Sequence, residues 1–180
     1  MGGAVHVVGS VTRFAECLRT ILDSEGGFVD DPTDHGGATS YGITQAVYGA
    51  WLVDHGQAAR SVREITLDEA QAIYHARYWL PANCDNLPKP LDLVAFDLAV
   101  NSGVGRAVRM LQRVLHVDDD GVFGPMTYGA LQDKGAALAV RNLLHARREW
   151  YIDIVKRDPQ QIKFLSGWLN RLDAIREACV

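Results

Sequence analysis

The segment Leu91 to Val100 reads LDLVAFDLAV, apolar on nearly every side if it is wound into a helix. A surface helix carries one apolar stripe, whereas a helix that is apolar all round belongs in the centre of a fold. Other elements must therefore surround it, and the chain supplies amphipathic helices that can. Phe14, Cys17, Leu18, Ile21 and Leu22 share one face of a helix that stops at Gly26-Gly27. Val47, Tyr48, Trp51 and Leu52 suggest a second helix, ended near Gly56. Thr66-Leu67-Asp68-Glu69 is a capping box, and the helix it opens runs through Ile73, Tyr74 and Tyr78 to Pro81. After the central segment, Gly103 and Gly105 break the chain, and Ala107, Val108, Leu111 and Leu115 define the next helix. Asp118 to Pro125 reads as a turn. Two longer helices follow, one through Val140, Leu144, Tyr151 and Ile154, the other through Leu165, Trp168, Leu169, Leu172 and Ile175. Strand signal is thin, confined to a short hairpin at 38–44. The fold class is mainly α.

Composition limits the function classes. With 180 residues, 48% of them apolar, the chain can build one domain or two small packed ones. The net charge of −4 gives no push toward nucleic acid. It is uneven: residues 1–105 hold 6 Lys+Arg against 13 Asp+Glu, and residues 106–180 hold 12 against 9. The second half could face an anionic polymer. Three scattered cysteines, Cys17, Cys84 and Cys179, argue against a disulfide framework or a zinc site and suit synthesis in a reducing cytosol. Stable membrane insertion is not expected, since no apolar run nears the roughly 20 residues a spanning helix needs. The start shows no basic segment of the signal-peptide kind.

The densest unusual stretch is Glu25 to Thr44, where one carboxylate ends a helix and three more, Asp30, Asp31 and Asp34, follow in a Gly-rich loop. Glycosidic bond cleavage needs a protonated acid to meet the leaving oxygen and a second, ionised carboxylate to attack or to activate water. The two must titrate differently. A helix C-terminus disfavours an ionised carboxylate, and apolar neighbours such as Phe28 act in the same direction, so Glu25 suits the acid. The loop aspartates suit the ionised role. Taken alone, a Glu before Gly-Gly is more often a solvated last-turn residue.

The stretch resembles the signature of glycoside hydrolase family 108, in Glu25-Gly26-Gly27-Phe28, Asp30-Asp31-Pro32-x-Asp34-x-Gly36-Gly37 and Thr39-Ser40-Tyr41-Gly42-Ile43-Thr44. Further similarity follows in order: Ala76-Arg77-Tyr78-Trp79, Cys84 to Pro88, Phe96 to Gly103, Asp120 to Thr127 and Gly167 to Arg171. The Asp120 turn resembles one shared by several peptidoglycan-binding modules. The family's usual Tyr is here Phe28, its loop Pro is His35, and its Asn after Thr39 is Ser40.

The resemblance implies a lysozyme-like fold and a phage or prophage endolysin with N-acetylmuramidase activity. It makes Glu25 the catalytic acid. Asp34, nine residues on, has the Glu-x8-Asp spacing of phage-type lysozymes. Ser40 or Thr39 stands where those enzymes position a water. Asp30 and Asp31 remain rivals to Asp34, though a bracing role before Pro32 suits them better. Phe28 and Tyr41 are candidates for sugar contact, with a core place equally open to Tyr41. Asp97 and Asn101, polar on an apolar helix, need partners or a cleft, and are expected to line the cleft wall as substrate contacts rather than join an internal network.

The expected organisation is a muramidase region at 12–90 and a helical, peptidoglycan-binding-like region at 91–178, tightly packed, the central helix serving both. The expected partner is bacterial peptidoglycan, with no nucleic acid, and the chain is expected to be a monomer. No cofactor and no metal is implied, because the six histidines form no HExxH-type pair. The enzyme is expected to be made in the host cytoplasm and to reach the wall through a holin-type pore. A lytic transglycosylase and a non-catalytic wall-binding module are the competing readings. Asp34 weighs against the first, and the Glu25 loop against the second.

Overall fold

The computed structural model describes residues 12–22 and 39–180 in full and the backbone of residues 23–25. Its elements are α1 (Arg13–Glu25), a hairpin of β1 (Thr39–Ser40) and β2 (Ile43–Thr44), α2 (Gln45–Asp54), α3 (Leu67–Tyr74), α4 (Leu91–Ser102), α5 (Val104–Leu115), α6 (Pro125–Lys134), α7 (Ala136–Arg157) and α8 (Ile162–Glu177). The architecture is mainly α, as the sequence pattern implies, with the small hairpin and helical body of the lysozyme-like fold that the resemblance implies.

Helix α4 is the axis. Every residue from Leu91 to Ala99 is buried, and α1, α5, α7 and α8 all pack on it. Such burial is straightforward for its leucines but costly for its two aspartates, because a buried charge must be paired and hydrogen-bonded. Each aspartate is met by arginine. Asp92, in the first turn, accepts from Arg13 Nε at 2.6 Å and Nη2 at 2.7 Å, and from the Leu93 N–H at 2.7 Å. Asp97 accepts from Arg147 Nη1 at 2.5 Å and Arg171 Nε at 2.9 Å. These pairs tie α4 to α1 at one end and to α7 and α8 further along.

The aromatic side of the core joins α1 and α4 to the segment after α3. Phe14, Trp79 and Phe96 stand with ring centroids 5.2 to 5.8 Å apart, mostly edge to face, the geometry aromatic quadrupoles favour. Trp79 reaches this cluster because α3 does not continue regularly to Pro81. It ends at Tyr74, and His75–Trp79 forms a π-helical turn in which the Leu80 N–H bonds the His75 carbonyl at 3.0 Å. The wider turn rotates the chain enough to bury Trp79 while its indole N–H reaches Asp85 at 2.6 Å. The capping box at Thr66 is present in both directions.

Helix α6 has no counterpart in the sequence pattern. Pro125 occupies its first turn and Gly135, at φ +82°, closes it, leaving a helix too short and too polar for a clear apolar period. Before it, the Asp120 turn is built around Gln112 of α5, which is only 2% exposed. The Gln112 amide N–H group reaches Asp120 Oδ1 at 2.7 Å and the Val122 carbonyl at 3.0 Å, and Oε1 accepts the Gly121 N–H at 2.8 Å. Among the described residues no helix is long and apolar enough to cross a membrane.

Candidate active site

Helix α1 ends at Glu25, with no basic residue in its last turn to offset the negative end of the helix dipole. The Glu25 side chain, and Phe28, Asp30, Asp31 and Asp34, lie outside the described residues.

The next described element is the hairpin. Thr39 pairs with Thr44 and Ser40 with Ile43, joined by the two-residue turn Tyr41-Gly42. Both turn residues have positive φ, 51° and 70°, as a tight primed hairpin turn requires. Gly42 accommodates this freely, whereas Tyr41 is a bulky residue in the left-handed region, a conformation held only where its surroundings enforce it. The enforcing contact is Tyr74, whose hydroxyl donates to the Tyr41 carbonyl at 2.8 Å. The Tyr41 ring is half-buried against the core, so a packing role is present. Ser40 is 8% exposed and Thr39 half-buried. The two hydroxyl candidates for holding water are therefore consecutive on β1, on opposite faces of the strand, and Ser40 is the inward one.

The hairpin is fixed to α2 and α3 by polar contacts. Thr44 caps α2 by accepting the Val47 N–H. Tyr48 of α2 donates to Glu69 Oε2 at 3.0 Å, and Arg60 Nη2 lies 2.5 Å from Glu69 Oε1 and over the Tyr48 ring. Enclosure pushes the Glu69 carboxyl upward, but the Thr66 N–H, Arg60 and Tyr48 outweigh it and hold the group below its ordinary range. For Tyr48, burial first and Glu69 second push the phenol up. Glu69 is thereby a brace of the scaffold, its lone pairs already taken.

Asp97 does not line a cleft. It is 0% exposed, and its carboxylate is consumed by Arg147 and Arg171, so the internal network is the arrangement the fold adopts. Asn101, one turn later, is exposed near the end of α4 and remains available to a ligand. Cys17 and Cys84 are buried free thiols, and burial pushes Cys17 up to about 12, which rules out an activated thiolate there. One group of cations that no motif marks is Arg106, Arg109 and Arg113 on α5, whose spacing of three and four residues on a helix without acidic residues is its signal.

Comparison with known proteins matches this arrangement. A family model described as Glycosyl hydrolase 108 matches residues 18–103, from α1 to the end of α4. A second, described as a predicted peptidoglycan domain, matches residues 106–173, from α5 into α8. No curated protein matches the chain. Among solved structures, SagA of Brucella abortus is similar at 37% identity over 92% of each chain, with a TM-score of 0.78. On these grounds the chain belongs to glycosyl hydrolase family 108 and is a glycoside hydrolase acting on peptidoglycan.

Proposed function

We propose that the enzyme is a muramidase of the endolysin type, hydrolysing the β-1,4 bond from N-acetylmuramic acid to N-acetylglucosamine and lysing the cell. What supports this reading is the order of elements within the matched family region: α1 ends at Glu25, and Thr39 and Ser40 lie on a strand braced by Tyr74. In this reading Glu25 protonates the leaving oxygen. Asp34 stays ionised and activates a water that Ser40 or Thr39 helps to hold, which is the inverting arrangement. Phe28, Tyr41 and Asn101 contact the glycan. The protein is made in the host cytoplasm and meets the wall after release through a holin-type pore.

Mass spectrometry of digested sacculi tests the bond. Muramidase action leaves reducing-end muramic acid. Anhydro-muramic acid would instead make the enzyme a transglycosylase, and reducing-end glucosamine would place the cut at the other linkage.

A further inference from the structure

Where the two matched regions meet, α4 ends and α5 begins, and a cavity of about 440 Å³ opens between that junction and α7. Ser102, Arg106, Arg109, Arg113 and Trp150 line it. We infer that this cavity is a carboxylate-binding site that takes the acidic stem peptide of peptidoglycan, separate from the glycan cleft; the inference rests on the peptidoglycan-hydrolase reading.

Three arginines face one cavity, yet only Arg113 has a carboxylate partner, Asp119. Among the described residues Arg106 has none, and Arg109 forms no ion pair, though after the Val122 N–H and Gln112 its charge helps to hold the Asp120 carboxyl below its ordinary range. Both are nonetheless held in place. The Arg106 guanidinium lies 4.6 Å from the centroid of the Trp150 ring, a cation–π contact that leaves its N–H edge unused. Arg109 rests against the backbone of Gly121, where an added Cβ would come within 3.1 Å of its Cζ, and its Nη2 only reaches the Asp120 carbonyl at 3.5 Å. Gly105 also leaves room, since a Cβ there would stand 3.2 Å from Arg109 Nη1. Two fixed guanidinium groups, neither engaged in an ion pair among the described residues, suit planar, bidentate recognition of carboxylate.

Two features of the same wall point to the same ligand. The Ser102 hydroxyl is buried and has no hydrogen-bond partner among the described residues. Helix α5 starts after Gly103 with no side-chain cap, so its first amides are also open to an anion. Among the described residues the cavity lining therefore presents donors and no carboxylate. A glycan strand is neutral where its stems are attached, because the lactyl carboxyl is spent in an amide. The stem itself carries free carboxylates, and so is the part of the polymer that matches these donors.

Isothermal titration calorimetry of the full chain with a free stem tetrapeptide, and with the same peptide amidated at its free carboxylates, tests the site. The acid form should bind, and amidation should weaken binding about tenfold or more, the loss expected when a charge-assisted hydrogen bond disappears. Arg106→Gln and Arg109→Gln should each weaken the acid form about tenfold, while Arg141→Gln on α7, outside the cavity, should not. Equal affinity for acid and amidated peptide overturns the site, as does an Arg141→Gln effect equal to that of Arg106→Gln. Poly(glycerol phosphate) displacing the peptide at lower concentration would overturn the stem as the ligand. The amidation arm needs no variant to fold. Cleavage of stem-free glycan strands by the unsubstituted chain reports on the hydrolase reading alone, so either idea can fail without the other.

Discussion

Asp97 and Arg147 meet at 2.5 Å with neither side chain reachable by solvent, and Arg171 closes on the other carboxylate oxygen at 2.7 Å. Removing one member of a buried pair leaves its partner charged and unsolvated. Asp97→Asn is expected to lower unfolding free energy by about 3–5 kcal/mol, read as a reduced urea midpoint with an unchanged slope. A loss well under 1 kcal/mol would mean that Arg147 finds another acceptor, which contradicts the enclosure described.

Glu25→Gln should fold as the parent does and lose lytic activity by about 10²–10⁴-fold, the usual worth of general-acid assistance. Turbidity clearing of cell-wall suspensions measures this, with circular dichroism to establish folding. A folded variant that clears at the parent rate would remove Glu25 from the mechanism.

Asp34→Asn should cut turnover strongly and leave sacculus binding intact. Proton NMR of the first products should show the inverted anomer, since activation of a water needs the two carboxyls about 6.5–9.5 Å apart rather than about 5–5.5 Å. A retained anomer would make Asp34 a nucleophile. Near-normal turnover in Asp34→Asn beside an inactive Asp30→Asn or Asp31→Asn would move the role to the earlier pair.

Glu69 gives a pH signature. Its folded pKa lies below its ordinary 4.5, so its contribution is fully present above that value and is lost as pH falls through the folded one. Glu69→Gln should therefore be destabilised most at neutral pH, and the gap from the parent should narrow in acid. Denaturation curves at two pH values decide it; a gap that widens in acid would reverse the assigned sign.

Gln112→Leu replaces the hub of the Asp120 turn with a side chain of similar size. The Gly121 N–H and Val122 carbonyl lose their partner, and the buried Thr127 hydroxyl loses the Gln112 donor, at about 1–3 kcal/mol for a group left buried and unpaired. Hydrogen exchange at residues 119–127 should accelerate more than exchange in α4. Uniform acceleration across the chain would show that the turn is not stabilised locally.

What could be read from the sequence was what short-range pattern determines. The capping box at Thr66 and Glu69 needs only four consecutive residues, and α4 announces itself by an unbroken apolar run. The hairpin expected at 38–44 was legible within a residue of its actual start. The role of Asp97 was not, because its partners are 50 and 74 residues away and an arginine at 147 or 171 carries no mark of where it points. The π-helical turn at 75–79 was hidden for a similar reason: the bulky Trp79 shifts the phase of the helix to satisfy a core that the local sequence does not display. Helix α6 was hidden by its own polarity. The candidate acid rests on residue type and order, which carry chemistry independently of packing.

The burial of α4 on all sides also bears on how the molecule can be taken apart. Its one face supports α1 and the aromatic cluster, and another supports α5 and α7, so neither matched region holds a complete apolar interior by itself. A chimera cut between Gly103 and Arg106 would strip one partner from a helix whose residues from Leu91 to Ala99 are all enclosed. Calorimetry on the intact protein should accordingly record one cooperative melting event, with van't Hoff and calorimetric enthalpies in agreement. Transplanting the second matched region onto another hydrolase would require carrying α4 along with it.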